Sequence, residues 1–490
     1  MGTSMNLYEL VLGVIVVSLL GVSLARLGRV RTKADYLVAG RSLPAFVLVF
    51  TLLSSWIGSG SLLGGAENAY QHGFYALWQG GGGWAGLALI YFIAPRARRF
   101  AGMTIPDLLE GRYNQTARVL GVIAVLFTYT AITSYQFIGG GDILHLIFPR
   151  ITAVEGEYIL CAFVVVFTAI AGMGSVAYMD VVIGLLATVT MLLALPVLTH
   201  RLGGWAAVHA ALPASHFTWF DDKRPVNALE LFLPTCLLML GNQSMYQKFF
   251  SARSERDARR AVVGWIVGTV VLETVIVALA VVGSAMYPGG EVHQRPREIL
   301  AYTALHGFSG GGHALQLLGA LLVGAIFAKV VSTANNYLFS PATNLVNDVF
   351  VRYLRPDASN GQVLTVSRLT VVLLGLWALW QSLGTTSVLA MSLYAYTIYS
   401  AALTPVILAA FYWRRATAAG AVTSIAAGTI VTVLWARPWV AHWLPASLAE
   451  RDAILPALVV SVLCLVVVSL MTPPPTAAQL RPFEELSQDA

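Results

Sequence analysis

The stretch 52-LLSSWIGSGSLLGGAENAY-70 decides the fold, because it interrupts an apolar run of membrane-spanning length with small and polar residues. Glycine occupies positions where an uninterrupted spanning helix would carry leucine or valine, namely 58, 60, 64 and 65. Unwound backbone at membrane depth is tolerated only where it is buried in protein or lines a cavity. The stretch therefore predicts a broken helix beside a cavity.

A second interruption, 238-LMLGNQSMYQKFF-250, places glycine, asparagine and glutamine inside another apolar run. Each interruption lies in the first helix of a predicted five-helix block, and the blocks cover residues 44–199 and 228–411. Because five is odd, the second block would enter the membrane from the opposite side and have inverted topology. One such stretch by itself could simply allow close helix packing. Two in corresponding places of inverted halves favour a binding site near the membrane midplane.

The composition predicts an all-α polytopic membrane protein. Of the 490 residues, 57% are apolar and 11% are charged, whereas a soluble domain carries about 25% charged residues. The apolar runs are long enough for membrane helices. We predict 13 of them, near residues 7–27, 44–70, 74–96, 117–147, 157–174, 178–199, 228–249, 261–286, 314–340, 362–384, 387–411, 417–436 and 453–471.

Loop charges predict the orientation. Most of the 30 lysines and arginines fall in loops on one side of the predicted bundle, and basic loops stay in the cytoplasm. This puts the N-terminus outside and the C-terminus inside a plasma or inner membrane. No lysine or arginine precedes Arg26, so the first apolar run is predicted to be a retained helix rather than a signal peptide. The predicted segments are 1–43 (leading helix and first cytoplasmic loop), 44–199 and 228–411 (the two repeats), 200–227 (extracellular loop), 412–472 (two trailing helices) and 473–490 (cytoplasmic tail).

The sequence lacks the motifs that several classes of protein function require. The sequence contains no GxxxxGK[ST] phosphate loop and no HExxH metal motif, and its 9 histidines lie mostly in loops. The three cysteines lie in apolar runs and are expected to behave as small hydrophobes. We therefore expect no enzyme activity, organic cofactor, transition metal or nucleic-acid partner, and no obligatory protein partner is evident. The lipid bilayer and a small-molecule solute are the expected partners.

Five stretches resemble the sodium:solute symporter family, whose members share the inverted-repeat fold of the bacterial leucine transporter. In chain order they are DYLVAGRSLP (35–44), FTLLSSWIGSGSLLGGAENAY (50–70), GNQSMYQKFFSARSERDARRA (241–261), STANNYLFSPATNLVNDVF (332–350) and LTPVILAAFYWRRATAAGAVTSIAAG (403–428). The resemblance covers nearly the whole chain. In the first core helix it is nearest to the choline-transporter branch, in which aromatic rings surround a quaternary amine. Trp56 matches one ring position of that branch, whereas Asn242 stands at another.

The resemblance implies sodium as the coupling ion and a set of ligands for it. Main-chain carbonyls of the family site match Ser54, Ile57 and Lys329, and its hydroxyls match Ser332 and Thr333. Positions 329, 332 and 333 also share one face of a helix. Hard cations prefer oxygen ligands, which this set supplies.

Lys329 departs from the family pattern, which usually has a small residue there. A lysine near the centre of a membrane helix costs about 2.5–3.5 kcal/mol. Three hypotheses stay open: its carbonyl binds sodium while its ammonium pairs with a carboxylate, its ammonium replaces the sodium ion, or it pairs structurally elsewhere. Glu273, in the middle of GTVVLETVIVALA, is the candidate partner, and we predict a Lys329–Glu273 salt bridge.

Substrate contacts are expected from polar and aromatic side chains near the two interruptions. The candidates are Trp56, Ser59, Gln79, Gln136, Asn242, Gln243, Tyr246 and Tyr394. Lys248 is expected to be a solvated anchor at a cytoplasmic helix end. Tyr396 and Tyr399 mark the tenth core helix, where an aromatic side chain would suit a gate.

The resemblance implies a secondary active symporter that works by alternating access and is driven by a sodium gradient. The solute would be small and organic, such as a proline-like amino acid or a monocarboxylate. An alternative keeps the fold but makes transport proton-coupled or uncoupled, with Lys329 in place of sodium. A membrane sensor or channel is a more remote alternative.

Overall fold

The structure is a computed structural model, and it describes residues 2–27, 39–100, 104–384, 387–435 and 437–485. Within these ranges it is helical, apart from an isolated bridge between Leu43 and Ala252. The first four residues of the DYLVAGRSLP stretch, 35–38, lie outside the described residues.

The helices follow one another with short connections. Their bounds are α1 Gly2–Leu27, α2 Ala45–Trp56, α3 Ala66–His72, α4 Leu77–Arg99, α5 Ile105–Arg112, α6 Gln115–Ile147, α7 Ala153–Leu202, α8 Trp205–Ala211, α9 Pro225–Gly241, α10 Gln243–Ser251, α11 Glu255–Met286, α12 Glu291–Gln294, α13 Ile299–His306, α14 His313–Asn344, α15 Asn360–Ser382, α16 Val388–Ala402, α17 Thr404–Tyr412, α18 Ala418–Trp435, α19 Pro438–Ala441, α20 Ala446–Ala449, α21 Ile454–Met471 and α22 Ala477–Glu485. Segments Gly60–Gly65 and Leu345–Leu354 are π-helical, and shorter 3₁₀ turns lie at Ala39–Arg41, Gly73–Ala76, Ala214–Phe217 and Pro296–Glu298.

Among the described residues, nine helices are long and apolar enough to cross a membrane. The number rises to ten when the pair Ala45–Trp56 and Gly60–Arg99, bent by 56°, counts as one span. The predicted number of 13 is not reached by this measure, partly because the interruptions divide spans into short helices. Thirteen therefore stays a prediction. The predicted spans 157–174 and 178–199 both lie within α7.

The first interruption ends α2 at Trp56. Ile57 has an extended backbone (φ −82°, ψ 97°), so the helix cannot continue through it. The side-chain oxygen of Gln136 in α6 then accepts the backbone N–H of Ser59 at 2.8 Å. A glutamine from a neighbouring helix thus satisfies a backbone donor that the break leaves without a helical partner.

The second interruption separates α9 from α10 at Asn242. Its backbone is also non-helical (φ −58°, ψ 114°), and its side-chain oxygen accepts the N–H groups of Ser244 at 3.0 Å and Met245 at 3.3 Å. This is an N-cap, which satisfies donors at the start of a helix. Both predicted interruptions are therefore present as breaks in the structure.

Candidate ion and substrate site

The hydroxyl of Thr333 in α14 faces the first break. Its Oγ1 lies 2.8 Å from the carbonyl oxygen of Ser54, 3.2 Å from that of Ile57 and 2.9 Å from that of Lys329. One hydroxyl proton can serve only one of these three acceptors. The break thus brings three carbonyl oxygens and a hydroxyl together in a buried place, a donor set that suits a hard cation.

Gly58 allows this close approach. A Cβ atom at position 58 would lie 2.5 Å from Thr333 Oγ1 and 2.6 Å from its Cγ2. Both are below the closest separations that carbon side chains show, so α14 or the break would have to move.

For the sodium-driven transport that the family resemblance implies, we therefore expect Gly58→Ala to weaken sodium activation at least about tenfold, since the oxygen cluster has to open. Sodium titration of uptake by the purified chain in liposomes measures it. Gly81→Ala is the matched control, because nothing lies within 4 Å of a Cβ there. Equal sodium affinity in the Gly58→Ala and Gly81→Ala variants would show that the approach of α14 does not matter for the ion.

Ser332 points away from this cluster. Its hydroxyl donates to Oδ1 of Asp180 in α7, which is fully buried. Oδ2 of the same carboxylate accepts the Thr51 hydroxyl at 2.5 Å and the Asn336 amide at 3.3 Å. The structure therefore brings four of the five predicted ion ligands to one place and directs the fifth, Ser332, to a carboxylate.

The Lys329 ammonium lies on the Asp180 side of the break. It donates to the Ser54 hydroxyl at 3.1 Å, it is fully buried, and it interacts electrostatically with Asp180. The structure does not make the predicted salt bridge with Glu273, whose carboxylate accepts three neutral donors in another part of the core. The nearby carboxylate for Lys329 is Asp180 because α14 packs against α7.

Lys248 joins the same cluster. We expected a solvated anchor, but its side chain is fully buried and donates to Ser244 Oγ and Asn336 Oδ1, both at 3.0 Å. The Asn336 amide thus bridges Lys248 to Asp180. The expectation fails because the second break turns α10 into the protein interior. The cluster of Asp180, Lys248 and Lys329, which we call the buried charge cluster, contains two basic side chains and one acidic side chain.

Asp180 is absent from the residues predicted for the site, although the sequence carries a signal for it. It is an acidic residue inside an apolar run, as rare there as Lys329. The predicted division of this region into spans 157–174 and 178–199 placed it at a helix end, where a charge needs no explanation. In the structure it lies well inside α7.

A small cavity lies beside the first break. Its lining residues are Ser61, Gly65, Ala76, Leu77, Gln79, Gly80, Glu273, Ile276 and Val277. Around it, three buried polar atoms have no hydrogen-bond partner within the described ranges: Ser59 Oγ, Gln79 Oε1 and Gln136 Nε2. Buried polar atoms are normally paired, so these three are available to a ligand.

The indole of Trp56 connects the break to Glu273. Its Nε1 donates to Glu273 Oε1 at 2.6 Å, and its ring stacks on Tyr396 with centroids 6.0 Å apart. Four of the eight predicted substrate residues, Trp56, Ser59, Gln79 and Gln136, therefore gather around the first break. Tyr396 joins them, while Tyr394 is half-buried and makes none of these contacts, because residues two apart point to different sides of a helix.

The other predicted substrate residues serve the second break. Asn242 accepts the Tyr129 hydroxyl at 2.8 Å and donates to that of Tyr337 at 2.9 Å. Gln243 accepts the backbone N–H of Ile105, and the Tyr246 hydroxyl donates to the carbonyl of Leu240 at 2.8 Å. Tyr246 is fully buried. Tyr246 and Gln243 therefore bond to protein backbone groups and do not face a cavity.

An ionic network links helices at the end of the bundle that carries Arg96, Arg98 and Arg99, which we call the basic end. Arg118, at the start of α6, pairs with three carboxylates: Asp107 and Glu110 of α5 and Asp348 of the π-helical segment after α14. Arg352 also pairs with Glu110, at 2.9 Å. Burial tends to raise the pKa of Glu110, but the hydrogen bonds from both arginines outweigh it and hold that pKa below its usual value.

The residues that the structure describes contain no group of three or more histidine, cysteine, aspartate or glutamate side chains that could hold a metal ion. The site consists of carbonyls, hydroxyls, amides, aromatic rings and the Glu273 carboxylate around two breaks. A model of the Sodium:solute symporter family matches residues 36–428. The chain belongs to the sodium:solute symporter family. It is a multi-pass membrane transporter, rather than an enzyme, that carries out sodium-driven symport of a small solute.

Similar proteins agree with this assignment. A sodium/proline symporter of Staphylococcus aureus is 26% identical over 475 residues, which is 91% of this chain and 88% of the relative. The same values hold for the sodium/proline symporter of S. aureus strain JH9.

Solved structures show the fold. A Na⁺-coupled sialic acid symporter, solved in a substrate-bound outward-open state, superposes with a TM-score of 0.79 at 18% identity, covering 96% of this chain and 98% of that one. The nucleobase-cation-symport-1 family transporter Mhp1 gives 0.56 at 12% identity, covering 92% and 98%. The predicted all-α inverted-repeat fold is confirmed.

Proposed function

We propose that this symporter carries a small amino-acid-like solute together with sodium, and that sodium binds at the first break. The observation that carries the proposal is the convergence of the Ser54, Ile57 and Lys329 carbonyls on the Thr333 hydroxyl. A cation placed among these oxygens would accept lone pairs from all of them, whereas the single hydroxyl proton serves one.

Sodium would link α2 to α14 and thereby order the break. Because the same break lies beside the cavity, ordering it would favour the conformation that binds the solute. The two ligands would then raise each other's affinity by the same factor. Rocking of the helices that carry the breaks would release both on the other side. We also propose, from the loop charges, that the basic end faces the cytoplasm, with the N-terminus outside and the C-terminus inside.

The buried charge cluster favours the first of the three hypotheses for Lys329. Its ammonium donates to the Ser54 hydroxyl, while its carbonyl stays with the Thr333 hydroxyl. The Lys329 side chain would thus compensate the charge of Asp180, and the Lys329 carbonyl oxygen would remain available as a ligand of the ion. In the competing hypothesis the ammonium moves into the oxygen cluster and replaces sodium.

The relatives named as sodium/proline symporters support a proline-like solute. The free donors near the break, the Ser59 hydroxyl and the Gln136 amide, suit a solute carboxylate. A monocarboxylate is the other solute that the sequence suggested, and it fits less well because Glu273 lines the same cavity.

Sodium-driven uptake in proteoliposomes tests this function. We expect an inward sodium gradient to accumulate L-proline, and Thr333→Val to raise the half-saturating sodium concentration at least about tenfold while it keeps the shape of the side chain. Thr274→Val is the control, since that hydroxyl is exposed and bonds only the carbonyl of Val270 in its own helix.

Uptake that ignores sodium in the wild type, and gains sodium dependence in Lys329→Ala, would instead show that the ammonium replaces the ion. Sodium-driven uptake that Thr333→Val leaves unchanged would move the ion site elsewhere.

A further inference from the structure

Glu273 is a buried carboxylate with no cationic partner among the described residues. It lies in the middle of α11 and is 5% exposed. Oε1 accepts the indole N–H of Trp56 at 2.6 Å and the Ser61 hydroxyl at 3.3 Å, and Oε2 accepts the indole N–H of Trp84 at 3.1 Å. All three donors are neutral.

Such a carboxylate is costly in its ionised form unless a positive charge reaches it. Acidic residues inside a membrane protein are rare, pair with a cation and mark pathways for substrates or ions. Three hydrogen bonds occupy only part of the acceptor capacity of a carboxylate, which has about four lone-pair positions. Oε2 accepts a single donor. Glu273 can therefore take one further donor from the cavity that it lines.

Small residues make room for this carboxylate. A Cβ atom at position 80 would lie 2.6 Å from Glu273 Oε2, and one at position 83 would lie 3.0 Å from the Trp56 ring. The glycine run of 79-QGGGGW-84 therefore lets α4 approach both Glu273 and Trp56. The α4 backbone therefore lies in close contact with the side chains of Glu273 and Trp56.

The surroundings of Glu273 suit a cationic nitrogen. Trp56 and Tyr396 present stacked rings beside it, and aromatic faces attract ammonium groups. Ile276 and Val277, on the same face of α11 as Glu273, give the cavity an apolar lining. The free oxygen of Gln79 is a further acceptor on this cavity.

We propose that Glu273 binds the cationic nitrogen of the transported solute, with Trp56 and Tyr396 beside it. This inference rests on the proposed function and narrows its solute to compounds that carry a positively charged nitrogen, such as a zwitterionic amino acid or a quaternary amine. Polyols and monocarboxylates are excluded, because a polyol leaves the carboxylate without a cation and an anion is repelled by it.

Pairs of solutes that differ in this charge test the inference. L-Proline is compared with cyclopentanecarboxylate, which lacks the nitrogen, and choline with its neutral carbon analogue 3,3-dimethylbutan-1-ol. Myo-inositol and propionate complete the set. Binding to the full chain in detergent is measured as thermal stabilisation and as a change of tryptophan fluorescence, in sodium and in potassium.

We expect a member with the cationic nitrogen, either proline or choline, to bind the wild type at least about 30-fold more tightly than its partner without the charge. This factor follows from the loss of a buried charge pair. Glu273→Gln keeps acceptor and size but removes the charge, so it should abolish the preference. Glu155→Gln, an exposed position in the first turn of α7, is the control for folding and yield.

Three results would overturn the inference: a nitrogen-free analogue that binds as tightly as its cationic partner, a Glu273→Gln variant that keeps the preference, or binding of neither cationic member. The potassium arm separates this from the proposed function. If the preference for the cationic solute is equal in sodium and in potassium, then Glu273 binds the nitrogen but binding is not coupled to sodium. If inositol or propionate binds and its binding depends on sodium, then sodium coupling holds but Glu273 does not select a cationic nitrogen.

Discussion

Replacing Asp180 with asparagine is expected to abolish transport and to lower the thermal stability of the purified chain strongly. The variant leaves Lys248 and Lys329 fully buried without a carboxylate. Removal of one partner from a direct buried ion pair costs about 3–5 kcal/mol, because the remaining charge has no compensation. This is the upper end for Asp180, which reaches Lys248 through the Asn336 amide. The hydrogen bonds from Thr51 and Ser332 would not replace the lost charge, since an amide oxygen carries only a partial one.

A second variant separates charge from packing. Asp180→Asn combined with Lys329→Met removes one cation with the anion, so we expect it to regain part of the lost melting temperature. Asp222→Asn, at an exposed turn, is the control for an ordinary loss of acidic charge. If Asp180→Asn is as stable as the control, or if the double variant is less stable than the single one, then the buried charge cluster does not stabilise the fold through its charges.

This cluster also shows how far the sequence could predict the site. Thr333 and Ser54 could be assigned to one site before the structure because the family resemblance implies both as sodium ligands. The helical spacing by itself showed only that Lys329, Ser332 and Thr333 share one face. The burial of Lys248 could not be predicted, because its neighbours depend on the angle between α9 and α10 at Asn242. No local sequence pattern determines that angle. A lysine near a helix end can be solvated or buried inside the bundle, and only tertiary packing distinguishes the two.

The pairing of Lys329 failed for a related reason. Glu273 was the acid that the sequence displayed most clearly in the middle of an apolar run, but hydrophobic patterns do not say which helices face each other. In the structure Glu273 faces α4 and the C-terminal end of α2, while Lys329 lies between Ser54 of α2 and Asp180 of α7. The sequence showed that there are charged residues inside apolar runs, but it did not show which residues pair with them.

The basic end gives the second large prediction. Arg118→Gln is expected to raise the population of states that are open at this end at least about tenfold, which corresponds to about 1.4 kcal/mol. Arg118 and Asp348 are almost completely buried together, so the variant removes the only cation that pairs with Asp348 in the described part of the chain. Because α5 and the segment after α14 would lose their shared partner, the closed arrangement is destabilised relative to the open one.

The population is measured by the labelling rate of a reporter cysteine at Thr343, which is buried in α14 between the break and the basic end. Native cysteines are replaced with alanine, and a membrane-impermeant thiol reagent is applied from the basic side. Arg352→Gln is the matched control: its side chain is 54% exposed and pairs with Glu110 at the same end, and exposed pairs contribute about 0–1 kcal/mol.

The pH dependence of the labelling rate adds an independent check on the same network. The folded-state pKa of Glu110 is lowered by its two arginines, so its contribution is complete at neutral pH and is lost only as the pH falls through that lowered value. The contribution of Glu110 to the wild-type rate should therefore be constant around neutral pH, and its loss should raise the rate in acid. In Arg118→Gln it should be high throughout. A rate that is low and constant in both proteins would mean that this ionic network does not hold the basic end closed.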